Sequence, residues 1–462
     1  MTDGQTMKGI VGFVNQLTSG WGRFPVERCN VFRPERQADI KAILATGEQR
    51  SYISYGLGRS YGDAPLNRDH GIIWHCRLNR FLSFDPQTGT LECEAGVSLA
   101  EIIECFLPRG FFLPVTPGTK FVTVGGAIAA NVHGKNHHKD GAFASFLLDF
   151  RLLTSSGEIV VCSPSGDSDV FWATVGGMGL TGIILSARFR LRKVASAFVV
   201  VDYEKARNLE EALFLMDESD ESYQYSVAWI DCLARGDSLG RSVLMRGNHA
   251  DKEGLPARIR DPLALPPHRR WNLPIDFPSS ALNALSVRAF NSVYYTTHRN
   301  AARQLVDFET FFYPLDAIQH WNRLYGKRGF VQFQFALPQQ SGKEGLLAIV
   351  ERLAHSRRAS FLAVLKRFGD PDAGLLSFPI RGYTLALDLP VSDGLMPFLH
   401  ELERVVIDHG GRIYLAKDAV TTPPDFAAMY PRLDEFRAIK RKLDPQNLFS
   451  SSLSRRLALV GE

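Results

Sequence analysis

Ile183, Leu185, Ala187, Phe189 and Leu191 alternate with Ser186, Arg188, Arg190 and Arg192. A period of two predicts a half-buried strand. The same alternation marks Phe330–Leu337, where Val331, Phe333, Phe335 and Leu337 share one face and leave Gln332 and Gln334 together on the other. Phe150–Thr154 and Ile159–Cys162 read as strands joined by the turn Ser155–Glu158, and further strands are predicted at Tyr223–Ile230, Phe361–Phe368 and Tyr383–Leu389. Ser98 and Glu101 form a capping box opening a helix with Ile102, Ile103, Phe106 and Leu107 inward, stopped by Pro108 and Gly110. Other helices are predicted at Leu209–Met216, Lys343–Ala354 and Leu395–Asp408. From about 196 to 411 this order suggests an antiparallel sheet with helices on one face. Within it, residues 256–278 carry six prolines with Arg258, Arg260, Arg269 and Arg270, the composition of a long irregular loop. Such loops inside compact domains are functional or unstructured, and its four arginines could attract anionic groups.

Two glycine-rich stretches interrupt these patterns. Pro114 to Gly141 reads PVTPGTKFVTVGGAIAANVHGKNHHKDG, with Gly118, Gly125, Gly126, Gly134 and Gly141 among the small residues Thr119, Thr123, Ala127, Ala129 and Ala130. Upstream, YGLGRSYGDAPLN runs from Tyr55 to Asn67, with Arg59 and Ser60 as extra donors beside Gly56, Gly58 and Gly62. Glycines at this density let backbone N–H groups approach something large and oxygen-rich, a pyrophosphate above all. Gly177, Gly179 and Gly182 also spell G-x-G-x-x-G, with Asp202 downstream. A dinucleotide fingerprint must open a helix, whereas here the alternating strand follows, so an NAD site is rejected.

The 462 residues allow two or three domains. A net charge of +4 is small for this length and argues against a nucleic-acid binder. No apolar run is long enough to span a bilayer, and the first residues show no signal-peptide pattern. Cys29, Cys76, Cys93, Cys105, Cys162 and Cys232 show neither a CxxC pair nor metal spacing. Reduced thiols and a cytoplasmic location are expected. His137 and His138 lack a completing carboxylate or cysteine pattern, so no metal site is expected.

The two loops, the run FWATVGGMGLTGIILSARFRL (Phe171–Leu191) and the C-terminal KRKLDPQNLF (Lys440–Phe449) together resemble the vanillyl-alcohol-oxidase-type flavoproteins. The resemblance implies an α+β fold of two domains: an FAD-binding domain at 1–195, an inserted antiparallel-sheet substrate domain at 196–411, and a return to the FAD-binding domain at 412–462. It implies FAD contacts from Tyr55, Gly56, Leu57, Gly58, Arg59, Ser60, Tyr61, Gly62 and Asp63 in the first loop. The second loop would contribute Pro117, Gly118, Thr119, Thr123, Val124, Gly125, Gly126, Asn131, His133 and Gly134, and later segments Gly179, Gly182, Ile184 and Tyr414. No histidine lies between residues 51 and 69 and no cysteine in the second loop, so the FAD is expected without a covalent tether.

The segments GLGRSYGD, PGTKFVTVGGAIAANVHGKNHH, FQFALP, LSFPI, IYLAKD and MYPRLDEF are similar to the polyprenylphosphoryl-ribose 2-oxidases. Those flavoproteins are subunits of epimerases that make a lipid-linked arabinose donor for cell-envelope glycans. This resemblance implies Lys417, His133 and Tyr61 as catalytic residues, with Lys417 as proton acceptor or as a group orienting sugar or flavin. It implies Trp229, Gln332, Gln334, Lys366, Lys135, Ala386 and Phe312 at the substrate. Ala386 stands where mycobacterial relatives carry a cysteine, and Phe312 where they carry a tyrosine. The implied partners are a lipid-linked sugar, a separate NAD(P)H-dependent short-chain reductase, and the membrane surface touched peripherally. An oxygen-using sugar-alcohol or aldonolactone oxidase, and a non-catalytic flavin-fold scaffold, are the alternative readings.

Overall fold

The structure is a computed structural model that describes residues 12–265, 271–278, 281–356, 358, 360 and 362–459, with only the backbone of Ser219 and Asp220. Arg269 and Arg270 of the expected loop lie outside the described residues.

The N-terminal part holds two sheets. One has four strands in the order Phe13–Ser19, Val26–Phe32, Gly71–Trp74 and Tyr52–Tyr55. The other orders Phe81–Asp85, Thr90–Glu94, Ile183–Arg190, Leu147–Leu153 and Ile159–Cys162. The alternating strand from Ile183 is therefore central, and Ala187 pairs with Cys93 on one side and Phe150 on the other. Being covered on both faces, it buries Ser186 too, and only its outer end exposes Arg188 and Arg190. Gly182 passes directly into this strand, so the G-x-G-x-x-G run opens no helix. The capping box forms as expected: Ser98 Oγ accepts from the Glu101 N–H at 3.1 Å, and the Glu101 carboxylate accepts from the Ser98 N–H at 2.7 Å. That helix, Leu99–Phe106, ends in a 3-10 turn and Gly110 at φ 82°.

The second part is built on an eight-stranded sheet. Its order is Ala301–Asp307, Phe198–Ala206, Ser242–His249, Tyr225–Ile230, Ala363–Phe368, Gly382–Pro390, Phe330–Pro338 and Arg412–Ile413, with every pairing antiparallel. Cross-strand register decides the two faces. Ala228, Leu365, Leu385 and Phe335 stand in one row and pack against Leu213, Leu346, Ile349, Leu399 and Leu402. Those partners come from the helices Leu209–Ser219, Gln339–Ser356 and Leu395–Asp408. One residue along each strand, Trp229, Val364, Ala386 and Gln334 form a row on the opposite face.

Part of that opposite face is covered by a helix the hydrophobic pattern did not announce, Ala284–Thr297. Asn283 caps it, accepting from the N–H groups of Leu285 and Ser286 at 2.8 and 3.1 Å. The strands Phe198–Ala206, Ser242–His249 and Ala301–Asp307 were likewise not anticipated. The described parts of the expected loop, residues 256–265 and 271–278, are largely irregular, as expected, apart from Trp271–Asn272, which pairs in parallel with Ile318–Gln319.

After the edge strand Arg412–Ile413 the tail turns back to the glycine loops. The Tyr61 N–H donates to the Ala416 carbonyl at 3.0 Å. In KRKLDPQNLF, Asp444 accepts from the N–H groups of Leu448 and Phe449 at 2.9 and 2.8 Å. The Tyr52 N–H donates to Leu448 and the Ser450 N–H to Tyr52, at 2.7 and 3.1 Å, locking the tail to the first sheet. Among the described residues no helix is long and apolar enough to cross a membrane.

Candidate active site: a glycine-walled cleft over the sheet

Both glycine loops and the uncovered part of the eight-stranded sheet wall one cleft. The first loop contributes Gly56 to Tyr61, and the second Pro117, Gly118, Thr119, Thr123, Gly126 and His133. The sheet floor contributes Gln332, Gln334, Val364, Lys366 and Ala386, and the tail Tyr414, Ala416 and Lys417.

The loops are shaped for a large acceptor-rich group. A Cβ on Gly118 would meet no protein atom within 4 Å, so it would occupy the cleft itself. Gly58 holds φ at 63°, which a side chain would strain. Among the described residues nothing accepts the N–H groups of Leu57, Gly58, Arg59, Ser60, Gly118 or Thr119. The buried Nε of Arg59 and Nδ1 of His133 are also without partners. The Arg59 guanidinium lies 3.8 Å from the Trp21 ring centroid. Free backbone donors and a half-buried arginine in glycine walls are the donor set a flavin pyrophosphate needs, so the residues fit FAD.

A compact polar cluster stands on the floor. The Lys417 ammonium sits 3.8 Å from the Tyr61 ring centroid. Burial pulls its pKa down to about 7; Lys366 and Arg59 push the same way, and Asp388 opposes them. Asp388 is itself pushed up to about 7 by burial, against the Gln332 hydrogen bond, Lys417 and Tyr325. The amide nitrogen of Gln332 donates to Asp388 Oδ1 at 2.5 Å. Gln334 donates to His133 Nε2 at 2.9 Å and lies 3.3 Å from Thr384 Oγ1. Burial, then Lys366, His137 and Lys417, hold the His133 pKa well below the ordinary value, so the ring is neutral. Burial lowers Lys366 to about 8 and raises the Tyr61 phenol well above 10. A lysine that shares its proton near neutrality, beside two amides, can accept a proton from a bound hydroxyl.

Other expected residues stand behind the wall. Tyr55 Oη donates to the Ser19 carbonyl at 2.9 Å, and Asp63 pairs with Arg456 at 2.7 Å. Asn131 donates to Ser377 Oγ at 2.8 Å. Gly62, Val124, Gly125, Gly134, Gly179, Gly182 and Ile184 also stand off the wall. Gly62 backs onto Asp418 so closely that a Cβ would strike its carbonyl. Trp229, Lys135 and Phe312, expected at the substrate, do not line the cleft. Tyr294 of the unanticipated helix covers Trp229, ring centroids 4.6 Å apart. Phe312 packs in a core cluster, 4.8 Å from Tyr225 and 5.3 Å from Phe112. Lys135 donates to the Phe311 carbonyl, and burial lowers its pKa to about 7.

Sequence reasoning missed Asp388, Trp21, Leu315, Asp316 and Trp321, of which all but Asp388 line the cleft. Asp388 could have been found. It lies two residues beyond Ala386 on the same strand face, an acid in the apolar run GYTLALDLP, and it pairs directly across from Gln332. Asp316 orders the second loop, accepting from Thr119 Oγ1 at 2.8 Å and the Lys120 N–H at 2.9 Å.

Glycine loops fitted to a flavin, facing the paired amides of the sheet and a half-buried lysine of the tail, define an FAD-dependent oxidoreductase of the vanillyl-alcohol-oxidase type. Residues 30–163 match the family model of the FAD binding domain, and residues 249–457 that of D-arabinono-1,4-lactone oxidase. The chain is 40% identical over 450 residues to decaprenylphosphoryl-beta-D-ribose oxidase of Mycolicibacterium smegmatis, covering 96% of this chain and 97% of that one. It is 37% identical to an uncharacterized protein of Streptomyces coelicolor, covering 79% and 100%. It is 24% identical to L-gulonolactone oxidase of Mus musculus, covering 91% and 93%. The chain belongs to the decaprenylphosphoryl-β-D-ribose oxidase family, and FAD is its cofactor.

Proposed function

We propose that the enzyme oxidises the 2-hydroxyl of a polyprenylphosphoryl-β-D-ribose to the 2-keto sugar, the first half of an epimerisation to the arabinose donor. The observation that carries this reading is a half-buried lysine, Lys417, over Tyr61 in the cleft that also holds Gln332 and Gln334, in a chain 40% identical to an oxidase of that substrate class. FAD supplies the acceptor for the two electrons that leave the sugar. Lys417 takes the hydroxyl proton, which its pKa of about 7 permits in neutral solution. The Tyr61 ring holds the ammonium in place by cation–π attraction. Gln332 and Gln334 offer both donors and acceptors to the ribose hydroxyls, and Lys366 offers positive charge to the phosphate. The free Nδ1 of His133 and the N–H groups of the glycine loops hold the flavin without a covalent bond.

Oxidation alone leaves a ketone, so epimerisation needs a second protein that delivers hydride to the opposite face. The G-x-G-x-x-G of this chain runs into a strand, so the reduction is assigned to a separate NAD(P)H-dependent short-chain reductase. Anaerobic incubation with polyprenylphosphoryl-ribose should bleach the flavin and yield the 2-keto sugar. Arabinose should appear only when reductase and NADH are added. Arabinose formed by the purified chain alone would refute this division of labour. Faster peroxide production from a free aldonolactone than flavin bleaching by the lipid-linked ribose would favour the lactone oxidase reading instead.

A further inference from the structure

The neutral ring of His133 has one hydrogen to place. Its immediate surroundings favour Nε2. Nδ1 is buried without a protein partner, and the rings of Phe368, Phe378 and Tyr414 stand 4.8, 5.5 and 5.1 Å away. A hydrogen on Nδ1 is a buried donor that no protein group accepts, and stranded donors are rarer in folded proteins than stranded acceptors. Placed on Nε2, the hydrogen could instead go to the carbonyl oxygen of the Gln334 amide, provided that amide were turned over.

Thr384 opposes that turn. It is fully buried, pairs with Ala336 on one side and Lys366 on the other, and lies two residues before Ala386 on the same face of its strand. Its hydroxyl has a single hydrogen, which the Phe335 carbonyl accepts at 2.8 Å. Oγ1 can then only accept, and the amide nitrogen of Gln334 lies 3.3 Å from it. Turning the amide over would set Oε1 against Oγ1, two oxygens with no hydrogen between them, so the network assigns nitrogen to that side. The same nitrogen donates to His133 Nε2 at 2.9 Å, which leaves the ring hydrogen on Nδ1. Among the described residues these are the only hydrogen bonds of the Gln334 amide, so nothing at Oε1 competes with Thr384.

We propose that Thr384 is a positioning residue for the flavin: it fixes the Gln334 amide and so holds the His133 hydrogen on Nδ1, ready for an acceptor on the cofactor. The donor is stranded before FAD arrives and satisfied once FAD is bound, so the ring is set for the cofactor in advance. This role rests on the flavin bond at Nδ1 that the proposed function includes, and it is independent of which sugar is oxidised.

The test compares Thr384→Val and Thr384→Ala, which remove the hydroxyl, with Thr384→Ser, which keeps it, in full-length protein carrying isotope-labelled histidine. Proton–nitrogen correlation spectra of the flavin-free protein distinguish the two ring tautomers, and the His133 signals are those that His133→Phe removes. The parent and Thr384→Ser should carry the hydrogen on Nδ1, and Thr384→Val and Thr384→Ala mainly on Nε2. FAD should bind the Val and Ala variants roughly tenfold more weakly, about the worth of one hydrogen bond, and Thr384→Ser nearly as the parent does. Adding His133→Phe to Thr384→Val should weaken FAD binding no further, because both changes act through one bond. A hydrogen that stays on Nδ1 in either folded variant lacking the hydroxyl overturns the proposal, as does a hydrogen on Nε2 in the parent. Equal loss of FAD by Thr384→Val and Thr384→Ser also overturns it, since the hydroxyl would then be irrelevant. A hydrogen moved to Nε2 with FAD affinity unchanged would uphold Thr384 as the residue that sets the ring and refute the flavin bond at Nδ1.

Discussion

The amide nitrogen of Gln334 lies 2.9 Å from Nε2 of His133, tying the sheet floor to the second glycine loop across 201 positions of sequence. The amide donates, so Nε2 accepts and Nδ1 carries the proton of the neutral ring. Nδ1 is buried with no protein partner, on a residue that lines the cleft. A buried donor without a partner is costly, and a bound flavin would relieve that cost.

His133→Phe should therefore weaken FAD binding by roughly tenfold, the worth of one hydrogen bond. The ring positions beside Phe368 and Tyr414, 4.8 and 5.1 Å away, suit a phenyl group, so the fold should persist. Flavin fluorescence titration of apoprotein measures the change, and an unaltered Kd would show that Nδ1 makes no bond to the cofactor.

Lys417→Met should retain FAD and slow flavin reduction by roughly two orders of magnitude or more, the usual effect of removing a positioned acid–base group. Stopped-flow bleaching under anaerobic conditions reads this step directly. Reduction at near the parent rate would exclude Lys417 as proton acceptor.

The rate of flavin reduction should rise with pH through a limb near 7, where Lys417 loses its proton. The Asp388 carboxylate favours the ammonium, so Asp388→Asn removes a stabilising charge and should move the limb to lower pH. A limb that moves upward, or stays in place, would show that Lys417 does not sense Asp388.

Acid or heat denaturation should release all the FAD into the supernatant, because no histidine lies between residues 51 and 69. Yellow colour that stays with the precipitated polypeptide would reveal a covalent tether elsewhere, with His133 the first position to examine by peptide mapping.

Stability should fall as the pH is lowered from 7 to 5. Burial lowers His75 to about 4 and His137 to about 3, so the folded state keeps both neutral while the unfolded chain takes up protons below about 6.5. The unfolded state then binds more protons, and each histidine removes about 2 kcal/mol at pH 5. Chemical denaturation across this range should show the loss, and His75→Gln should flatten it. An identical slope in that variant would assign the acid sensitivity to other groups.

The sequence by itself determined the local elements whose cause is local. The capping box at Ser98, the alternation from Ile183, the face shared by Gln332 and Gln334, and the two glycine loops each follow from a period, a cap or a missing Cβ. The following strand was also enough to reject the Gly177–Gly182 fingerprint. What only the tertiary structure decided is which of these faces meet. Cross-strand register sets Asp388 opposite Gln332, and the edge strand Arg412–Ile413 with the turn after it carries Lys417 over Tyr61. Trp229 illustrates the other outcome. It shares a row with Val364 and Ala386, yet the helix Ala284–Thr297 covers it, because contacts with Trp229 and Asp231 hold that helix there while its outer side stays apolar and blurs the helical pattern. The depressed pKa of Lys417 belongs to the same class, since burial is its leading cause and burial exists only once distant segments have closed around the side chain.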